Sequence, residues 1–141
     1  MFMRSARIVL LLALGVMPLL GCERALTGGI VVEYERTGGF AGFQDRMIIW
    51  DDGKVTLNRK GMRTEFTVDT DTVMQLLDAL KQTDFAKLSR QPTPKVQGAD
   101  LFEYAITYRR ITVRAVDTAI PTELGPVIEI LNRIVAGGTK T

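Results

Sequence analysis

Chemistry in this chain has few residues to work with: among 141 residues there is one cysteine, Cys22, and no histidine. Nucleophiles activated by histidine, ordinary zinc sites and internal disulfides are therefore excluded. The carboxylates offer two close pairs. Asp69-x-Asp71 has the opening of a calcium loop but lacks its glycine and its distal glutamate, so it is read as helix capping. Asp51-Asp52 stands directly before Gly53, where aspartate suits a turn. A hydrolytic pair would need two carboxyls converging in a cleft, which nothing in the spacing predicts. Ser89 near Lys87 could form a Ser/Lys pair, but solvation at a helix end is the simpler reading. The expectation is a chain that is not an enzyme, with no catalytic residue, no metal site and no cofactor.

Cys22 has a more specific context. Arg4 and Arg7 precede an apolar stretch over Ile8–Leu20, broken only by Gly15 and Pro18. That stretch is short of the roughly 20 apolar residues of a membrane-spanning helix, and it ends in Leu19-Leu20-Gly21-Cys22. The pattern resembles a bacterial lipobox, with cleavage between Gly21 and Cys22 and a diacylglyceryl group on the new terminal cysteine. Residues 1–21 are then an export signal, residues 22–29 a lipidated tether, residues 30–136 one domain and residues 137–141 a tail. The expected location is the cell envelope, on the membrane face outside the cytoplasm. In a cell with two membranes, Glu23 after the cysteine favours the outer one.

Processing changes the charge. The whole chain carries 18 basic and 16 acidic residues, and losing Arg4 and Arg7 leaves the two signs equal. Basicity thus gives no reason to expect nucleic acid as a partner; the membrane is met through lipid on Cys22.

The glycine-rich run Gly38-Gly39-Phe40-Ala41-Gly42 is the remaining unusual feature. It lacks the Gly-Lys-Ser/Thr ending of a phosphate loop. One reading is a bulge or wide hairpin whose glycines supply positive φ. The other is a loop presenting Phe40 to a partner's pocket. Exposure of Phe40 separates them.

Periodicity supplies the frame. Apolar alternation predicts strands from Ile30, over Gln44–Trp50, Lys54–Asn58, Arg63–Val68, Leu101–Tyr108 and Ile111–Val116. Asp52-Gly53, Lys60-Gly61 and Arg109-Arg110 are turns. Val73, Leu76, Leu77 and Leu80 mark a helix over Thr70–Thr83, capped by Asp69, Thr70 or Asp71. Leu124, Val127, Ile128, Leu131, Ile134 and Val135 mark another, ended by Gly137-Gly138, with Pro126 tolerable only in its first turn. Gln91–Gly98 is a proline-bearing loop. The fold class is α+β: an antiparallel sheet of about six strands, ββββ-α-ββ-α, with both helices on one face.

On these residues the chain resembles the emfourin family. Four segments carry the likeness in order: Tyr34–Gly42, Asp84–Leu88, Asp100–Thr107 and Asp117–Pro121. To the short family form the chain adds the lipobox and a hairpin over Trp50–Val68. The resemblance implies a small inhibitor of thermolysin-like metallopeptidases that blocks the active-site cleft without chemistry of its own. A secreted metallopeptidase is then the partner, and Gly38, Gly39, Phe40, Ala41 and Gly42 are the candidate contact residues from their loop chemistry. The alternative is a non-inhibitory envelope lipoprotein serving as a structural or interaction module.

Overall fold

A computed structural model describes residues 28–138 apart from 94, 96, 97 and 99. The expected export signal, the expected cleavage position Gly21 and the expected lipidation position Cys22 lie outside the described residues.

Six strands form one antiparallel sheet: β1 (Ile30–Gly38), β2 (Phe43–Trp50), β3 (Lys54–Arg59), β4 (Met62–Thr67), β5 (Phe102–Tyr108) and β6 (Ile111–Val116). Their spatial order is β4-β3-β2-β1-β5-β6, so β1 is central and β4 and β6 are the edges. Two 13-residue helices, α1 (Thr70–Gln82) and α3 (Gly125–Gly137), pack against each other and the sheet. Between α1 and β5 lies a one-turn helix, α2 (Phe85–Leu88), and two 3-10 turns lead from β6 into α3. The α+β architecture is the one the apolar periods predict.

Local chemistry explains the boundaries. Asp69 is the cap of α1, accepting a 2.7 Å hydrogen bond from the Thr72 amide. Asp84 does the same for α2 through the Lys87 amide at 2.9 Å. Pro126 falls at the start of α3, where its missing N–H costs no hydrogen bond. Arg109 and Arg110 both take positive φ, 48° and 66°, in the two-residue turn from β5 to β6.

Strand pairing fixes which residues share a face. Tyr34 lies beside Met47 on one side and Ile106 on the other. Val32, Met47, Ile49, Val55, Leu57, Ile106 and Val113 continue that buried face. Leu76 and Leu80 of α1, with Val127, Leu131 and Val135 of α3, close over it. Burying this one contiguous apolar layer is the main force holding the sheet and helices together. The opposite face is largely polar and carries the Glu35–Arg46 and Lys54–Glu65 ion pairs.

Candidate functional site

Four segments meet at the end of the sheet where β1 finishes. They are the β1–β2 turn at Gly38–Gly42, the β3–β4 turn at Lys60–Gly61, the entry to β5 and the exit from β6. The register requires this, since Gly38 pairs with both Phe43 and Phe102, and Asp45 pairs with Arg59.

The β1–β2 turn is closely determined. Gly42 N–H donates to the Gly39 carbonyl at 2.9 Å, and Gly39 N–H donates to the Leu101 carbonyl at 3.0 Å. Gly38, Gly39 and Gly42 all have positive φ, 98°, 69° and 59°. A Cβ on Gly38 would collide with the Leu101 carbonyl, and one on Gly39 would lie 2.7 Å from the Phe102 ring. Gly42 has open space around it, so its requirement is conformational alone. Lys60 Nζ donates to the Ala41 carbonyl at 2.9 Å, tying the two neighbouring turns together. At the apex Phe40 is 96% exposed. The glycines thus meet a structural need and Phe40 projects into solvent, so both features of the loop reading coexist. Met62, which opens β4 at the same end, is 72% exposed.

Beneath the turn lies a polar cluster that the sequence reading did not single out. The Asp45 side chain is fully buried between two guanidinium groups. Arg36 Nη2 donates to Asp45 Oδ2 at 2.6 Å, and Arg59 Nε donates to Asp45 Oδ1 at 2.6 Å. Arg36 also lies against the Phe43 and Phe102 rings, 5.3 and 5.0 Å from their centroids. Its Nη1 donates to Asn132 Oδ1 of α3 at 3.1 Å, an oxygen that also accepts from the Tyr34 hydroxyl at 2.7 Å. Burial alone would raise the Asp45 pKa, but hydrogen bonds from Arg59 and Arg36 outweigh it and hold the carboxyl below its usual value. With Asp117, which accepts from the Tyr104 hydroxyl, two guanidinium groups stand against two carboxylates at the base of the turn.

Two tyrosines extend the cluster. Burial pushes the Tyr34 hydroxyl well above its ordinary range. Burial, then the 2.6 Å hydrogen bond to Asp117, raises Tyr104 to about 12. Both are held neutral at physiological pH and act as hydrogen-bond donors. Asp117 also accepts from the Phe102 amide at 2.8 Å, which anchors the start of β5.

The remaining candidates are dispersed. Asp51 and Asp52 occupy the β2–β3 turn at the opposite end of the sheet, where Asp52 accepts from the Lys54 amide at 2.9 Å. Ser89 Oγ bonds the Ala86 carbonyl at 3.1 Å, closing α2. Gln91 and Pro92 line a cleft of about 320 Å³ with Leu88, Thr112, Arg114 and Pro121. Leu101, which bonds the turn through Gly39, lies beyond this loop, and residues 94, 96, 97 and 99 lie outside the described residues. Among the described residues, no three His, Cys, Asp or Glu side chains gather to hold a metal ion. No described helix is long and apolar enough to cross a membrane.

The most distinctive feature of this end is its shape, a hydrogen-bonded turn with an exposed aromatic side chain at its tip. Neither a protein-family model nor a curated protein matches this chain.

Extending the period-two pattern by one step would have found the cluster. Val32 and Tyr34 lead to Arg36, Ile49 and Met47 lead back to Asp45, and Val55 and Leu57 lead to Arg59. Charged residues in positions of inward parity are the signal.

Proposed function

We propose that this chain is a lipid-anchored binding protein outside the cytoplasm that recognises a partner protein through the β1–β2 turn. In its most specific form it is an emfourin-type inhibitor of thermolysin-like metallopeptidases, with Phe40 entering the partner's cleft and Gly38–Gly42 covering it. The single observation carrying this reading is Phe40, 96% exposed at the tip of a turn held by three hydrogen bonds. Exposing an aromatic ring to water is unfavourable, and seating it in a pocket recovers about 2 kcal/mol or more. A preorganised turn spares much of the ordering cost of binding. Inhibition then follows from steric occlusion, and no group on this chain needs to react.

The test is a titration of thermolysin-like peptidase activity with the soluble chain from Glu23 onward. Loss of activity at micromolar protein is expected, weakened about 30-fold by Phe40→Ala, as truncating a binding hot spot requires. No slowing across several such peptidases would retire the inhibitor reading and leave the envelope interaction module. Lipid attachment has its own test. Cys22→Ser should abolish incorporation of a labelled fatty acid and accumulate as uncleaved precursor; normal processing of that variant would count against it.

A further inference from the structure

The point where the chain enters the sheet and the β1–β2 turn lie at opposite ends of one strand. The chain enters the fold at Ile30, where Gly29 accepts a 3.0 Å hydrogen bond from the Asp51 amide and Ile30 pairs with Trp50. β1 then runs nine residues to Gly38, and the next two residues lead to Phe40. At about 3.3 Å per residue, the path from Gly29 to the turn covers roughly 30 Å. From Cys22 to Gly29 the chain has seven peptide steps, and full extension gives them a reach of at most about 25 Å. An inverted pose, with Phe40 against the bilayer and Ile30 above it, needs more chain than the tether has.

Resting on the lipid anchor proposed for Cys22, we infer that the domain stands with its Ile30 end toward the membrane and Phe40 and Met62 outward. The partner is then a protein arriving from the aqueous side, not a component of the anchoring bilayer. The outward end fits that partner: it carries Phe40 and Met62, 96% and 72% exposed, beside the exposed Lys60 ammonium.

Because Cys22 is the only cysteine and lipidation consumes its thiol, one introduced cysteine gives a unique label on the mature lipoprotein. Ala41→Cys marks the turn and leaves Phe40 in place; Asp52→Cys marks the β2–β3 turn at the tether end. Each protein is purified from bacterial membranes, reconstituted into phosphatidylethanolamine–phosphatidylglycerol vesicles with a headgroup energy acceptor, and floated on a density gradient. Flotation with several-fold weaker energy transfer from position 41 than from position 52 is the expected result. Flotation with equal transfer means the domain lies on its side, and stronger transfer from position 41 means that Phe40 meets the bilayer; either overturns the orientation while leaving the anchor intact. Failure of both proteins to float overturns the anchor and the orientation with it.

Discussion

Arg36 and Asp45 face each other across the β1–β2 ladder, with Nη2 2.6 Å from Oδ2, at the base of the turn that lifts Phe40 into solvent. Arg59 closes on the same carboxylate from β3. Three strand ends are thereby fixed by one buried charge, and the stability of that end of the sheet depends on Asp45 remaining ionised.

Asp45→Asn should cost about 3 kcal/mol at pH 7, because it leaves two half-buried guanidinium groups without their anion. The pH dependence has a definite sign. The folded pKa of Asp45 lies below its unfolded value of about 3.9, so its contribution is complete above that value and is lost as pH falls through the folded pKa. Urea denaturation of both proteins at pH 7 and in steps below pH 4 should show the gap narrowing as acid is added. A gap that is independent of pH would remove the carboxylate from the account.

The glycines of the turn should separate by mechanism. Gly38→Ala forces a Cβ onto the Leu101 carbonyl and a residue into positive φ, whereas Gly42→Ala meets open space and pays only the conformational cost. The second should lose about 1 kcal/mol, and the first should lose several times more. Thermal unfolding of the two variants reads the difference, and equal losses would contradict this geometry.

Phe40→Ala should leave stability within about 0.5 kcal/mol of the parent, since the ring is 96% exposed. Chemical denaturation checks this. A large loss would mean that the ring packs against the fold.

Thr56 lies on the polar side of the sheet, 9% exposed, and its hydroxyl has no hydrogen-bond partner among the described residues. Thr56→Val keeps the shape and removes the unsatisfied oxygen, so a gain of about 0.5–1 kcal/mol is expected in the denaturation midpoint. Destabilisation would show that the hydroxyl is engaged.

Much of this fold is legible in its residues. β5 and β6 follow from Phe102, Tyr104, Ile106 and Val113 because each buries one face against helices, and a period of two then leaves no ambiguity. β6 has the bounds its alternation predicts, and α1 ends one residue before the predicted Thr83, which instead caps it. The order of strands in space is not written locally. That β5 returns beside β1, making it central, depends on contacts between segments about seventy residues apart. The Arg36–Asp45–Arg59 cluster was hidden for a related reason. Each residue stands at the inward parity of its own strand, but only lateral pairing shows that the three meet on one carboxylate. The exposure of Phe40 was equally undecidable from the run of glycines, which suits a buried or a projecting ring until Leu101 and Phe102 fill the space beneath.

Central placement gives β1 a mechanical role. It is laddered on both sides, to β2 along its length and to β5 from Glu33 to Gly38. Its hydrogen bonds lie across the strand axis. A pull applied at Ile30 and resisted at the Phe40 turn therefore runs along the covalent backbone of a strand that is already extended, and none of its ladder hydrogen bonds has to break. A strand placed in this way transmits force from one end of the domain to the other without unravelling it.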